Sequence, residues 1–198
     1  CVDALREEYV GRRRFVLRIV PPPSGGFFQK VQAHCLEASG FRPGLSQARK
    51  TLLLDLAISP DEIRRNLDPK WRGSLVRAEK NGIGITRSAE LQDFERFNHL
   101  FLECAERKRF MPDQDVEFFK RVQTRTPASQ KMVLHLAWDR GELIAGHLGS
   151  YIGDTAVYLL GAANLRGRNL LASFLLQWHA IIHAQRIGSR FYYLGRPE

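Results

Sequence analysis

The sequence predicts an α+β protein, a mixed and largely antiparallel sheet flanked by helices, and three features carry that prediction. Residues 91–105 repeat apolar side chains at Leu91, Phe94, Phe97, Leu100, Phe101 and Cys104, the spacing of one helix face. Residues 131–138, 142–152 and 155–161 are β-rich runs separated by Asp139-Arg140-Gly141 and Gly153-Asp154, which are hairpin turn signals, so three consecutive antiparallel strands are expected. Residues 170–186 then place Leu171, Phe174, Leu175, Trp178, Ile181 and Ile182 on one side of a long helix. Gly188 stops it, and a strand over 190–194 follows.

The earlier elements are read in the same way. FVLRIV at 15–20 is β-branched and apolar and is expected as a strand, ended by three prolines and Ser24-Gly25-Gly26. Residues 27–38 carry apolar side chains at helical spacing up to Gly40, and TLLLDLA at 51–57 reads as a buried strand. Ser59-Pro60-Asp61-Glu62 is a helix start, with Ser at the cap and Glu three residues on, so a helix is expected over 60–67. Pro69 opens another, with Trp71, Leu75, Ala78 and Gly82 on one stripe and Lys70, Arg72, Arg77 and Lys80 on the remaining faces. A shorter helical segment is read over 116–122.

At 198 residues the chain has room for one domain or two small ones, and a 44% hydrophobic content with 9 Pro and 16 Gly is that of a folded protein. No run of 18 apolar residues and no signal-like opening is visible, so neither a membrane span nor a leader is expected. The chain opens on Cys1 in what reads as a helix and closes on a strand, so both ends are expected to be cuts. Cys1, Cys35 and Cys104 show no paired spacing, which argues against a disulfide framework and for the cytoplasm. The formal net charge of +9 suits a polyanionic partner: nucleic acid, a nucleotide-linked sugar or an anionic membrane surface.

Helix, helix, three antiparallel strands, helix, strand is similar to the order of the GNAT acyltransferases. Residues 51–195 further resemble the Fem-type peptidyltransferases (FemABX family), which build cell-wall peptide bridges from aminoacyl-tRNA. The resemblance rests on three segments: Lys70-x-Arg72 with Arg77-Ala78-Glu79-Lys80-x-Gly82 after LDL…SPDEIRRNL, the hairpin pair AWDRGELIAGHLGSYIGDTAVYLLGAAN, and LLASFLLQWHAIIHAQRIGS leading into FYYLG. It implies tandem GNAT-like units, with 1–84 the C-terminal part of the first and 85–198 most of the second. It also implies transfer of an aminoacyl group to an amine of a nucleotide- or lipid-linked peptidoglycan precursor in the cytoplasm, with aminoacyl-tRNA as donor and no cofactor. The family's usual ending, Tyr-Asp-Leu-Gly-Gly, is Tyr192-Tyr193-Leu194-Gly195-Arg196 here, without the Asp and the second Gly.

GNAT enzymes that use acetyl-CoA cradle its pyrophosphate on a glycine-rich loop at a helix start. The corresponding segment, Asn164-Leu165-Arg166-Gly167-Arg168, has one glycine and two arginines, so Arg166 and Arg168 are expected to meet a phosphate while CoA is not the expected donor. For attack of an amine on an activated ester, an enzyme must align the partners, bond the oxyanion and accept a proton. Tyr158, Tyr192, Tyr193 and His147 are the candidate catalytic residues; Asp139, a further possible base, is chiefly a turn-former. Lys70, Arg72, Arg77 and Lys80 are candidates for the precursor's phosphates or for tRNA. His179 and His183 stand four residues apart on a helix but lack a third ligand, so no metal is expected. Two alternatives compete: a GNAT enzyme using acyl-CoA or an acyl carrier protein in exopolysaccharide or lipid synthesis, and a non-catalytic RNA-binding protein.

Overall fold

The computed structural model describes residues 2–19, 27–44, 51–109 and 116–195. The chain forms two compact units, Cys1–Thr51 and Leu52–Glu198. In the first, α1 (Val2–Arg6) runs into a π-helical turn (Glu7–Arg12), and α2 (Phe27–Ala38) ends at Gly40, whose φ of 80° few other residues adopt. The strand expected over 15–20 is not formed. Residues 15–19 carry no regular structure, and Val16 is 98% exposed. No other strand lies among the described residues of this unit, so a β-forming run there has no neighbour to bond. Val20 and the expected loop at 21–26 lie outside the described residues, as does Arg196.

The second unit is built on one six-stranded sheet in the order β1-β6-β5-β4-β3-β2. Its strands are β1 (Leu53–Asp55), β2 (Gly84–Ser88), β3 (Val133–Asp139), β4 (Glu142–Ser150), β5 (Thr155–Ala163) and β6 (Phe191–Tyr193). The expected meander is present as β3, β4 and β5, each antiparallel to the next. β2 was not anticipated. It is a short edge strand whose exposed side chains hide the apolar alternation of Ile83 and Ile85. The boundary expected near residue 84 falls inside this unit, at the first residue of β2.

Helices cover both faces of the sheet. On one side α5 (Leu91–Lys108) and α6 (Val116–Arg125) bury Phe94, Phe97, Leu100, Phe101 and Phe119 against Leu134, Leu136 and Leu148. The phenylalanine stripe is therefore core. Gly146 of β4 admits this helix, because a Cβ there would strike the Phe97 ring. On the other side α8 (Ala172–Arg186) buries Leu176, Ala180 and Ile181 against the sheet, and α4 (Pro69–Glu79) packs on α8 through Leu75 and Ala78.

α3 (Pro60–Asn66) begins with the expected capping box: Ser59 accepts from the Glu62 N–H, and the Glu62 carboxylate accepts from the Ser59 N–H at 3.0 Å. Ser59→Ala should lower stability by about 1 kcal/mol, read as a shift of the urea midpoint. The expected helix over 170–186 is broken at its start. A short helix α7 (Leu165–Asn169) comes first, and Leu171, with φ of 60°, separates it from α8.

Leu75 is fully buried, whereas Arg77 is exposed and donates to Ser74 Oγ at 3.4 Å. Leu75→Ala should therefore cost about 2–5 kcal/mol, and Arg77→Ala less than about 0.5 kcal/mol, in paired thermal melts.

Candidate active site

The parallel pair of the sheet creates the site. β5 bonds β6 only through Thr155–Phe191, Ala156–Tyr192 and Val157–Tyr193, then runs on to Ala163 without it. Past Val157 the two strands part. A cavity of about 460 Å³ lies along this free stretch of β5, lined by His147, Tyr158 and Gly161, by Ser173 and Gln177 of α8, and by Cys104 and Arg107 at the end of α5. Such a gap puts the backbone of β5 and side chains from both helical layers within reach of one substrate.

Two irregularities aim the side chains. The β4–β5 register shifts between Leu148 and Gly149, so that Gly149 faces Tyr158 while Leu148 faces Leu160. The extra residue, Leu159, turns Tyr158 onto the face that carries His147 and Gly161. Gly161 then makes room: a Cβ there would collide with the Tyr158 hydroxyl. His147 stands directly opposite Gly161, with its ring 5.0 Å from that of Tyr158.

His147 Nε2 and the Tyr192 hydroxyl are hydrogen-bonded at 2.8 Å. Both are buried: His147 is 3% and Tyr192 0% exposed. Burial pushes His147 down to about 4, so it is neutral and has a lone pair to offer at neutral pH. Burial pushes the Tyr192 phenol well above its ordinary 10, so it stays protonated. Gln177 lines the cavity with its Nε2 enclosed. Arg107 is anchored by Nη2 donating to Ala163 O at 2.8 Å.

Of the residues singled out from the sequence, His147, Tyr158 and Arg168 line the cavity, and Tyr192 supports His147 from behind. Tyr193 follows Tyr192 on β6, so its side chain points to the opposite face of the sheet. Arg166 is ion-paired with Asp139 through its Nε and Nη2. Gly167 donates its N–H to Asn164 Oδ1 at 2.8 Å, which closes the one glycine position of the expected phosphate loop.

Lys70, Arg72, Arg77 and Lys80 do not line the cavity. Arg72 Nη1 donates to Arg65 O at 2.6 Å, and Glu79 is held by Arg64 through two bonds of 2.8 and 2.5 Å. His183 accepts from Arg87 at Nδ1, at 2.6 Å. Among the described residues no group of three His, Cys, Asp or Glu could hold a metal ion, and no helix is long and apolar enough to cross a membrane. Ser173, Gln177, Cys104 and Arg107 were missed. Their signal in the sequence is weak, since each is one polar or small residue on an amphipathic helix.

The buried histidines make stability depend on pH. His135 of β3 is depressed by burial, then by His147, His183 and Arg87, to about 2. An unfolded histidine titrates near 6.5, so below that pH the unfolded chain binds protons that His147 and His135 refuse. Their contribution is complete above pH 6.5 and is lost as pH falls, through about 4 for His147 and lower still for His135. Stability should drop between pH 6.5 and 4 by about 1.4 kcal/mol per pH unit for each proton taken up. Urea titrations at stepped pH read this directly; a flat profile would contradict the burial of both imidazoles.

An antiparallel meander, a helix returning to a parallel strand, and a cavity where that parallel pair parts are the arrangement of the GNAT fold. The chain belongs to the family described as Acetyltransferase (GNAT) domain, which it matches over residues 64–198. Among solved structures it is similar to FemX, with a TM-score of 0.70 at 16% identity, covering 84% of this chain and 60% of that one. It is also similar to L-PGS from Bacillus licheniformis, with a TM-score of 0.59 at 12% identity over 84% of this chain and 50% of that one. A third likeness is to the C-terminal domain of a putative lysylphosphatidylglycerol synthetase from Agrobacterium fabrum, with a TM-score of 0.57 at 13% identity over 75% and 46%. The chain thus spans 60% or less of the length of each of these structures. At these identities the likeness shows the fold. Among curated proteins none matches the chain.

Proposed function

We propose that this chain carries the acyl-transfer core of a Fem-type aminoacyltransferase, moving an aminoacyl group from aminoacyl-tRNA to an amine of a nucleotide- or lipid-linked peptidoglycan precursor. The reading includes the tandem arrangement, with 1–84 closing a first GNAT-like unit and 85–198 forming most of a second, and a cytoplasmic setting where charged tRNA is available. One observation supports it: the cavity gathers His147, Tyr158 and Gln177, groups suited to acyl transfer, while two positions of the loop that would cradle CoA are bonded internally. Gly167 is bonded to Asn164, and Arg166 to Asp139.

In this scheme His147 takes a proton from the attacking ammonium, and its depressed basicity keeps it in the accepting form. Tyr158 and Gln177 face the space where the acyl carbonyl would sit, and their O–H and N–H groups suit a developing oxyanion. The net charge of +9 favours approach of tRNA, of a diphosphate-linked precursor or of an anionic membrane bearing a lipid-linked one. Incubating the protein with charged tRNA or acyl-CoA and with candidate precursors, and detecting the ligated product by mass, tests the reading. Product from charged tRNA alone supports it, product from acyl-CoA replaces the donor, and RNA binding without product replaces the enzyme with a binding protein.

A further inference from the structure

One row of side chains across the sheet differs from its neighbour. On the face covered by α8, the cross-strand partners Ile85, Ala137, Ala145 and Ala163 form a row that is apolar throughout. The next row on that face runs Arg87, His135, His147, Gly161, each directly opposite the last on β2, β3, β4 and β5. Adjacent strands lie about 4.8 Å apart, so this polar row crosses roughly 14 Å of sheet. One end is the acyl-transfer cavity. The other is a second cavity of about 360 Å³ at the β2 edge, where Arg87 and His183 meet Trp178, His179 and Arg186.

The middle of the row is buried and under-bonded. His135 is 0% exposed, and neither of its ring nitrogens has a hydrogen-bond partner among the described residues; the same holds for His147 Nδ1 and the Tyr151 hydroxyl. These groups are neighbours: the His135 ring lies 5.7 Å from that of His147, 5.4 Å from that of His183 and 6.3 Å from that of Tyr151. A buried polar atom left unpaired is costly, whereas one buried water bonds several of them at once. Arg87 can only donate, so His183 Nδ1 accepts and His183 carries its ring proton on Nε2, as a donor to the cluster.

We propose that His147 and His135, completed by buried water, form a proton outlet from the acyl-transfer cavity to the groove at the β2 edge, where the Arg87–His183 pair walls the mouth. The proposal rests on the acyl-transfer reading. When an ammonium acceptor reacts with an ester, the amine lone pair forms the C–N bond and the ester C–O bond breaks. Of the three ammonium protons, one stays on the amide, one goes to the leaving oxygen and one must leave the site. His147 receives that last proton but is too buried to keep it. It passes it through His135 and water to the groove.

The groups facing His135 make it a conductor rather than a store. They are Arg87 from β2, His147 from β4, Tyr151 beyond β4, and His179 and His183 from α8. Their positive or neutral character, with Arg186 nearby and the groove's Glu79 occupied by Arg64, denies a resting place to an imidazolium. His135 is thus a positioning residue that acts through His147.

Ring-nitrogen NMR of the whole chain, labelled with 15N-histidine, tests this without substrate. Arg87→Gln, at the exposed edge, should change the nitrogen shifts of His183 and also of His147, roughly 10 Å away; in the background of His135→Phe the effect on His147 should vanish. His135→Phe should lower kcat about 10-fold or more with KM within about 2-fold, and raise the solvent deuterium effect. His135→Gln, which bonds water but does not titrate, should restore the His147 shifts and not the rate. His147 nitrogens indifferent to Arg87→Gln would overturn the outlet, as would an unchanged kcat in His135→Phe. Because the spectra require no donor, they decide the outlet even if the donor proves not to be aminoacyl-tRNA.

Discussion

Replacing His147 by glutamine is expected to lower kcat for acyl transfer about 100-fold, the usual scale for removing a general base and equivalent to about 2.7 kcal/mol of barrier. Glutamine keeps the length and a hydrogen-bonding end for the Tyr192 hydroxyl, which His147 meets at 2.8 Å, so the support behind the site survives while the titratable lone pair is lost. The loss should appear equally in kcat and kcat/KM, since proton transfer belongs to the transition state. In the unaltered protein His147 titrates near 4, so between pH 5 and 8 any rise in rate reports the acceptor amine and not this base. Initial rates of product formation across that range, with thermal melts as a folding control, give the comparison. A glutamine variant that keeps more than half the rate would remove His147 from the chemistry.

How far the sequence led depended on which physical signal each element left. The α5 stripe and the three strands of the meander were legible because burial on one face imposes a period, and because Asp139-Arg140-Gly141 and Gly153-Asp154 supply the positive-φ turn positions at Arg140, Gly141 and Gly153. The FVLRIV run misled because strand formation depends on a neighbour that local sequence does not specify. β2 left little trace because an edge strand buries few of its side chains.

The site was legible only in part. His147 could be named from its strand, but nothing local says that Leu159 is an extra residue that turns Tyr158 to the same face, or that His135 stands directly across from His147. A histidine at the centre of the apolar run VLHLAW was the available clue. The arginines of α4 are the opposite case. Charge clustering is visible in sequence, whereas the local bonds of Arg72 and Arg77, and their absence from the cavity lining, are properties of the fold.

Gly167→Ala is expected to destabilise the protein by about 3 kcal/mol, and this substitution separates two reasons for a glycine at that position. If the glycine served a phosphate, the added methyl would weaken donor binding and leave the free protein's stability alone. The surroundings point elsewhere. Gly167 is buried in α7, its N–H is held by Asn164 Oδ1, and a Cβ would drive into the backbone carbonyl of Ile144, the same carbonyl that accepts from the Asn164 N–H at 3.1 Å. A carbonyl in a sheet cannot yield as a flexible side chain can, so α7 must lift from β4, at the upper end of overpacking costs. For a unit of this size about 3 kcal/mol corresponds to a fall in Tm of roughly 6–12 °C. Gly73→Ala is the control: it lies within α4 with open space around its Cβ position, and should stabilise by about 0.5–1 kcal/mol through helix propensity. Calorimetry of both variants without ligand measures the difference. A Gly167→Ala melt that matches the unaltered protein would return this glycine to the phosphate-binding role and reopen acyl-CoA as the donor.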